Sequence, residues 1–191
     1  EERSHDHSDV IDIVSRQSAL NFEPGHEYSY SNTGYNLLAI IVGRVSGMSF
    51  ADFSMKRIFE PLGMEHTQWR DDYRRIVKGR STAYTALPDR TFEINRPIEY
   101  VHGNGGILTT VGDLLTWNQA LTTGRLGGRE FVELMHETGH LNDGSEIVYA
   151  AGLRIAENSG VPAVSHTGST AGYRAVTTRS PGQGIALAML C

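Results

Sequence analysis

Three short clusters in this chain hold side chains capable of chemistry. The first is EYSYSNTGYN, residues 27 to 36, where Tyr30-Ser31-Asn32 sets a phenol and an amide two positions apart, just ahead of an apolar helical run. Read alone, that triplet is either the wall of an active site or an ordinary turn with an asparagine helix cap. The second cluster is His166-Thr167-Gly168, followed by Ser169, expected to open a turn between two late strands. The third is HETGH, His136 to His140. On one continuous helix its two imidazoles would share a face and bind zinc, with Glu137 activating a metal-bound water.

The neighbours of HETGH count against zinc. Gly139 stands where the helix REFVELMHE should end and reads as its C′ glycine. An extended His-x-x-Gly-x-x-His continuation fails, because Asp143 and Glu146 occupy the glycine and histidine positions. Glu157, a third ligand for the other zinc-peptidase layout, lies beside an Asn-Ser-Gly turn rather than in a second helix. The competing reading is a solvated helix end, and no metal site or cofactor is expected.

These clusters need elements to hold them. The 191 residues, 39% apolar, suffice for one domain with a core. A net charge of −5 comes from scattered acids without a basic run, so nucleic acid is a poor partner. No apolar stretch approaches the roughly 18 to 20 residues of a spanning helix. The single Cys191 allows no internal disulfide. Periodicity predicts a helix over DVIDIVSRQ, and a second over GYNLLAIIVGRVSG closed by Gly47. A third, FADFSMKRIFE, opens with a Ser49–Asp52 capping box and is stopped by Pro61 and Gly63. Residues 66 to 104 read as loops with short strands. VGDLLTWNQALTTG then has Thr110 as N-cap, Asp113 at N3 and Gly124 as terminator. After residue 145, EIVYAAGLRIA, AVSHTG, YRAVTTRS and GIALAMLC read as strands separated by turns. Helices followed by an antiparallel meander predict an α+β fold.

From FEPGHEYSYSNTGYNLLAIIVGRVSGMSF through FEPLGMEHT, GNGGILTTVGDLLTW and LNDGS to SHTGSTAGYRA, the chain resembles the serine β-lactamase-like family. That family includes class C β-lactamases, penicillin-binding proteins, D-aminopeptidases and esterases. Its members carry Ser-x-x-Lys with the nucleophile, Tyr-x-Asn or Ser-x-Asn, and Lys-Thr-Gly or His-x-Gly on an edge strand. Tyr30-Ser31-Asn32 looks like the second motif and His166-Thr167-Gly168 like the third. The resemblance implies a helical part plus an antiparallel sheet in a β-lactamase/transpeptidase-like fold, and an acyl-serine mechanism that needs no cofactor. It implies that Tyr30 is the general base, for which cations must lower a phenol pKa of about 10, and later the acid. It gives Asn32 the substrate carbonyl and the catalytic lysine, and Ser169 N–H the developing oxyanion beside Gly168 and Thr167. A small-molecule or peptide substrate is implied, and a secreted or periplasmic location is suggested by the resemblance alone.

Two departures matter. His166 replaces lysine, and an imidazole is mostly neutral at pH 7, which favours aminopeptidase-like or esterase-like members over those that bind a carboxylate. No Ser-x-x-Lys occurs: the lysines are Lys56 and Lys78, neither preceded by serine at that offset. The expectation is a hydrolase domain over residues 1–191, incomplete at the N-terminus and at the C-terminal strand, without its nucleophile and inactive alone. A degenerate relative acting as a binding domain is the alternative. The strand GIALAMLC would leave an apolar edge that promotes self-association. Arg174 is a candidate for a substrate's polar end, Trp69 and Trp117 are expected in the core, His102 to Gly106 in a cleft-lining loop, and His5, His7 and His26 in solvent.

Overall fold

The computed structural model describes residues 4–191. Helix α1 (His7–Ser15) opens on a capping box: Asp6 accepts from the Ser8 and Asp9 amides, and the Asp9 carboxylate takes the Asp6 N–H at 3.0 Å. Helix α2 (Asn32–Ser46) is capped by Ser31, whose hydroxyl accepts from Gly34 N–H at 3.1 Å. Asn32 is thus the first helical residue and not the cap. Gly47, in the left-handed region, closes α2 as predicted.

A second helical rod has three pieces: α3 (Phe50–Ser54), a π-helical turn (Met55–Phe59) and α4 (Glu60–Leu62). Ser49 caps it, bonding both the N–H and the carboxylate of Asp52. Pro61 lies inside this rod and does not stop it. The π turn, in which Glu60 N–H reaches the Met55 carbonyl, widens the helix where the proline ring would otherwise meet a carbonyl one turn back. Gly63 makes the stop.

Helix α5 (Val111–Thr123) has Thr110 as cap, Asp113 at N3 and Gly124 as terminator, as the spacing predicts. The buried Asp113 carboxylate also accepts from His66 N–H at 2.8 Å and the Thr67 hydroxyl at 2.7 Å, tying α5 to the segment after α4. Phe59, Leu62, Met64, Trp69 and Ala120 form the core between rod and helix, with Trp117 packed on it.

In the middle third, β1 (Gln68–Trp69) pairs with β4 (Ile107–Leu108), and β2 (Tyr84–Ala86) with β3 (Phe92–Ile94). The 102–106 loop lies on α2, where Asn104 N–H donates to the buried Asn36 side chain at 3.1 Å. Gly103 has φ +126°, and a Cβ there would stand 2.7 Å from Ala39 Cβ, so only glycine lets the loop approach. His7 is not in solvent: its ring is half-buried, and Nε2 lies 2.7 Å from the His102 carbonyl.

Helix α6 (Gly128–His136) ends at His136, earlier than a stop at Gly139 would place it. Then β5 (Arg154–Asn158), β6 (Val161–Thr170), β7 (Tyr173–Ser180) and β8 (Ile185–Leu190) form an antiparallel meander in that order. The layout is α+β, as predicted. Two details differ. Only the end of EIVYAAGLRIA is strand, and His166-Thr167-Gly168 lies within β6, the turn coming at Ala171 and Gly172. Because β5 pairs only with residues 161 to 165, the outer half of β6 has β7 on one side and, among the described residues, no strand on the other. Helix α5 packs over the β8 side of the sheet, with Asn118 donating to the Thr177 hydroxyl at 2.8 Å.

Candidate active site

The loop ahead of α2 and the outer half of β6 meet through aromatic rings. Tyr30 and His166 have centroids 6.2 Å apart, and Tyr149 touches both, edge-on to Tyr30 at 5.8 Å and to His166 at 5.9 Å. Tyr28 approaches Tyr149 at 5.9 Å. Tyr28, Tyr30, Tyr35, Leu38 and Tyr149 line a depression of about 420 Å³. Contacts remote in sequence hold the segments that line it. Asn142 N–H donates to the Gly25 carbonyl at 2.8 Å and its side-chain amide to the Pro24 carbonyl at 3.0 Å, fixing the loop that carries Tyr28 and Tyr30. The 150–153 turn, with Ala150 N–H on the Leu153 carbonyl, directs Tyr149 toward α2, and Gly152 lies against the Tyr35 hydroxyl.

His166 has both ring nitrogens engaged: Nδ1 is 2.7 Å from the Thr167 carbonyl and Nε2 is 2.9 Å from the Tyr149 hydroxyl. The phenols around it resist ionisation. Burial raises Tyr35 and Tyr149 above the ordinary phenol value; neighbouring phenols add to it strongly for Tyr149, whereas a hydrogen bond with Tyr149 partly offsets the rise at Tyr35. Tyr28 is raised by the same two causes. Among the described residues, no lysine or arginine is a cause of the Tyr28 or Tyr35 shift. A phenol that must act as base here needs a cation brought to it.

Backbone register decides what the outer half of β6 can offer. Arg174 exchanges both backbone hydrogen bonds with Cys191, so its neighbours Tyr173 and Ala175 turn theirs toward β6. Their partners Thr170 and Gly168 are thereby used, together with His166 opposite Thr177. Thr167 and Ser169 point their N–H and C=O groups to the strandless side. Both are exposed. Gly168 meets only Ala175 Cβ, at an ordinary 3.5 Å from a hypothetical Cβ, so no atom of this chain demands glycine there. Asn32 is exposed at the start of α2 and has no side-chain hydrogen bond among the described residues. Arg174 curls onto its own hairpin, donating to the Ala171 and Tyr173 carbonyls at 2.8 and 2.7 Å, and does not reach the depression.

HETGH does not form the zinc arrangement. The helix ends at His136, and His140 lies in a bridge with Glu146, so the imidazoles do not share a helical face. His136 Nε2 faces the buried Arg179 guanidinium, which occupies the lone pair a metal would need. Burial, and then that guanidinium, holds His136 below the usual imidazole range. Among the described residues no three His, Cys, Asp or Glu side chains converge to hold a metal.

Comparison with known proteins bears on the same region. A family model described as Beta-lactamase matches residues 1–191. The chain belongs to the β-lactamase family. A penicillin-binding protein of Bacillus subtilis (strain 168) is 32% identical over 188 residues, 90% of this chain and 41% of its relative. A D-aminopeptidase of Brucella canis is 28% identical, over 85% of this chain and 31% of that protein. The octameric penicillin-binding protein homologue from Pyrococcus abyssi superposes with a TM-score of 0.84 at 25% identity, over 96% of this chain and 43% of that one. The chain thus spans less than half the length of these family members. Their shared fold agrees with the helices-then-meander layout read from the sequence.

Sequence reading of this β-lactamase family chain missed Tyr149, Tyr35 and Tyr28. Tyr28 and Tyr35 flank the quoted motif, and Tyr35 stands one helical turn after the Ser31 cap, on the first turn of α2. Tyr149 carried no such signal, since only the 150–153 turn brings it to His166.

Proposed function

We propose that this chain carries the second and third motifs of an acyl-serine hydrolase acting on amide, peptide or ester bonds. Tyr30 is the general base and then the acid. Ser169 N–H donates to the developing oxyanion, while Thr167 and Gly168 offer a strand edge to the acyl part of the substrate. Asn32 directs its amide toward the substrate carbonyl. The observation that carries the reading is the meeting of Tyr30 with His166 over the unpaired half of β6.

The nucleophilic serine and the lysine that would lower the Tyr30 phenol lie outside these 191 residues, because no Ser-x-x-Lys occurs within them. The D-aminopeptidase relative supports substrates with a free amino group, and so does a depression walled by phenol faces, which attract an ammonium. A non-catalytic binding domain is the second reading, favoured by the same missing motif.

The deciding experiment treats the longer parent protein with a serine-reactive phosphonate and, separately, a penicillin, followed by mass mapping. A serine adduct outside residues 1–191 that is lost in Tyr30→Phe is expected, with no turnover of an activated ester by the 191-residue chain alone. No adduct with either reagent overturns the hydrolase reading in favour of a binding domain. Turnover by the short chain overturns the assignment of the nucleophile.

A further inference from the structure

We propose that Tyr149 is a positioning residue that holds the neutral His166 imidazole as its Nδ1–H tautomer, so that the ring presents the cleft with no free N–H donor. This rests on the hydrolase reading for its consequence, though not for its test.

A backbone carbonyl only accepts, so Nδ1, 2.7 Å from the Thr167 oxygen, carries the proton. In a neutral ring Nε2 is then an acceptor, and the single Tyr149 hydroxyl proton, 2.9 Å away, is assigned to it, so that Tyr35, which also hydrogen-bonds Tyr149, donates to the Tyr149 oxygen. Burial and the neighbouring phenols keep Tyr149 protonated and able to donate. The ring is fixed in plane as well as in protonation, since Tyr30 lies 6.2 Å from it at a 33° tilt and Tyr149 meets it edge-on at 71°.

The consequence is selective. A lysine at this position would offer three donors and a charge to a substrate carboxylate. His166, with Nδ1 on the Thr167 carbonyl and Nε2 on Tyr149, offers no free donor. The Thr167 oxygen lies on the strandless side of β6, so the imidazole also fixes one acceptor of the edge that substrate backbone would meet, leaving its second lone pair open. Tyr149 therefore helps turn the third motif from a carboxylate receptor into a wall without a free donor, suited to amides or amine-bearing substrates.

Long-range proton–nitrogen NMR of the 191-residue chain at pH 7.5 tests this without turnover. The wild-type His166 spectrum is expected to show a protonated Nδ1 and an unprotonated Nε2. Tyr149→Phe, checked for folding by amide exchange in β6 and β7, is expected to shift the tautomer ratio toward Nε2–H by about fivefold, the worth of one neutral hydrogen bond. Tyr28→Phe, whose ring meets that of Tyr149 without bonding its hydroxyl, should not shift it. A wild-type Nε2–H tautomer, or an unchanged ratio in folded Tyr149→Phe, overturns the proposal. If that variant does not fold, the wild-type chain still decides. A slowly exchanging Tyr149 hydroxyl proton with cross-peaks to the His166 ring supports the donor role, and its absence overturns it. Loss of serine labelling in the parent would sink the hydrolase reading while leaving the tautomer result standing.

Discussion

Single residues in this chain owe their protonation to packing more than to sequence neighbours. Burial holds His102 below the ordinary imidazole range against the pull of the Tyr100 carbonyl on Nδ1, and it lowers His136 beside Arg179. In both cases the folded value lies below the unfolded one, so the unfolded chain binds more protons as pH drops. Stability from these groups is complete above about pH 6.5 and is lost as pH falls below it. The thermal midpoint is therefore expected to fall between pH 7.5 and 5.5. One proton per group bounds the slope at about 1.4 kcal/mol per pH unit, and the more exposed His136 contributes less than the buried His102. His102→Gln should flatten the profile. A midpoint flat across that window in the wild-type chain would contradict the assignment.

At the scale of elements, capping residues serve twice. Asp113, legible as N3 of a capping box, also takes the His66 amide and the Thr67 hydroxyl from the chain after α4, and Thr67 in turn meets the Thr109 hydroxyl at 2.7 Å. Removing the carboxylate strands buried donors on two segments, so Asp113→Ala is expected to cost about 2–4 kcal/mol. Urea denaturation measures this directly, and a loss under about 1 kcal/mol would mean that the helix contact carries little. The rod from Phe50 to Leu62 shows the opposite case. Its proline reads as a stop because local rules allow no ring inside a helix, yet a π turn makes room for it and keeps Phe59 and Leu62 in the core.

The whole molecule exposes apolar surface along its last strand. Ile185, Leu187 and Met189 alternate along β8, on the face opposite the one where Thr177 meets α5, and each is at least half exposed. Such a face on an outer strand is a template for pairing. We propose that the isolated chain self-associates through β8, seen as a rise in apparent mass with concentration in analytical ultracentrifugation. Leu187→Lys should lower that tendency. A wild-type chain that stays monomeric across the concentration series would refute it.

Much of this was legible in residue order. Caps and terminators act over three or four residues, so Thr110, Asp113, Gly47 and Gly124 bound their helices where the pattern put them. The alternation after residue 145 likewise predicted the meander, and the first motif contains Tyr30 and Ser31, which line the depression. Tertiary structure alone decided the rest, because the deciding contacts join residues distant in sequence. It ended α6 at His136 and gave that imidazole to Arg179 instead of a metal. It set the half-strand offset between β5 and β6 that frees Thr167 and Ser169. It folded Arg174 back onto its hairpin, and it brought Tyr149, 17 residues before His166, into hydrogen-bond contact with it. Periodicity records which side of an element is apolar, whereas the partner of a polar side chain depends on where separate elements cross.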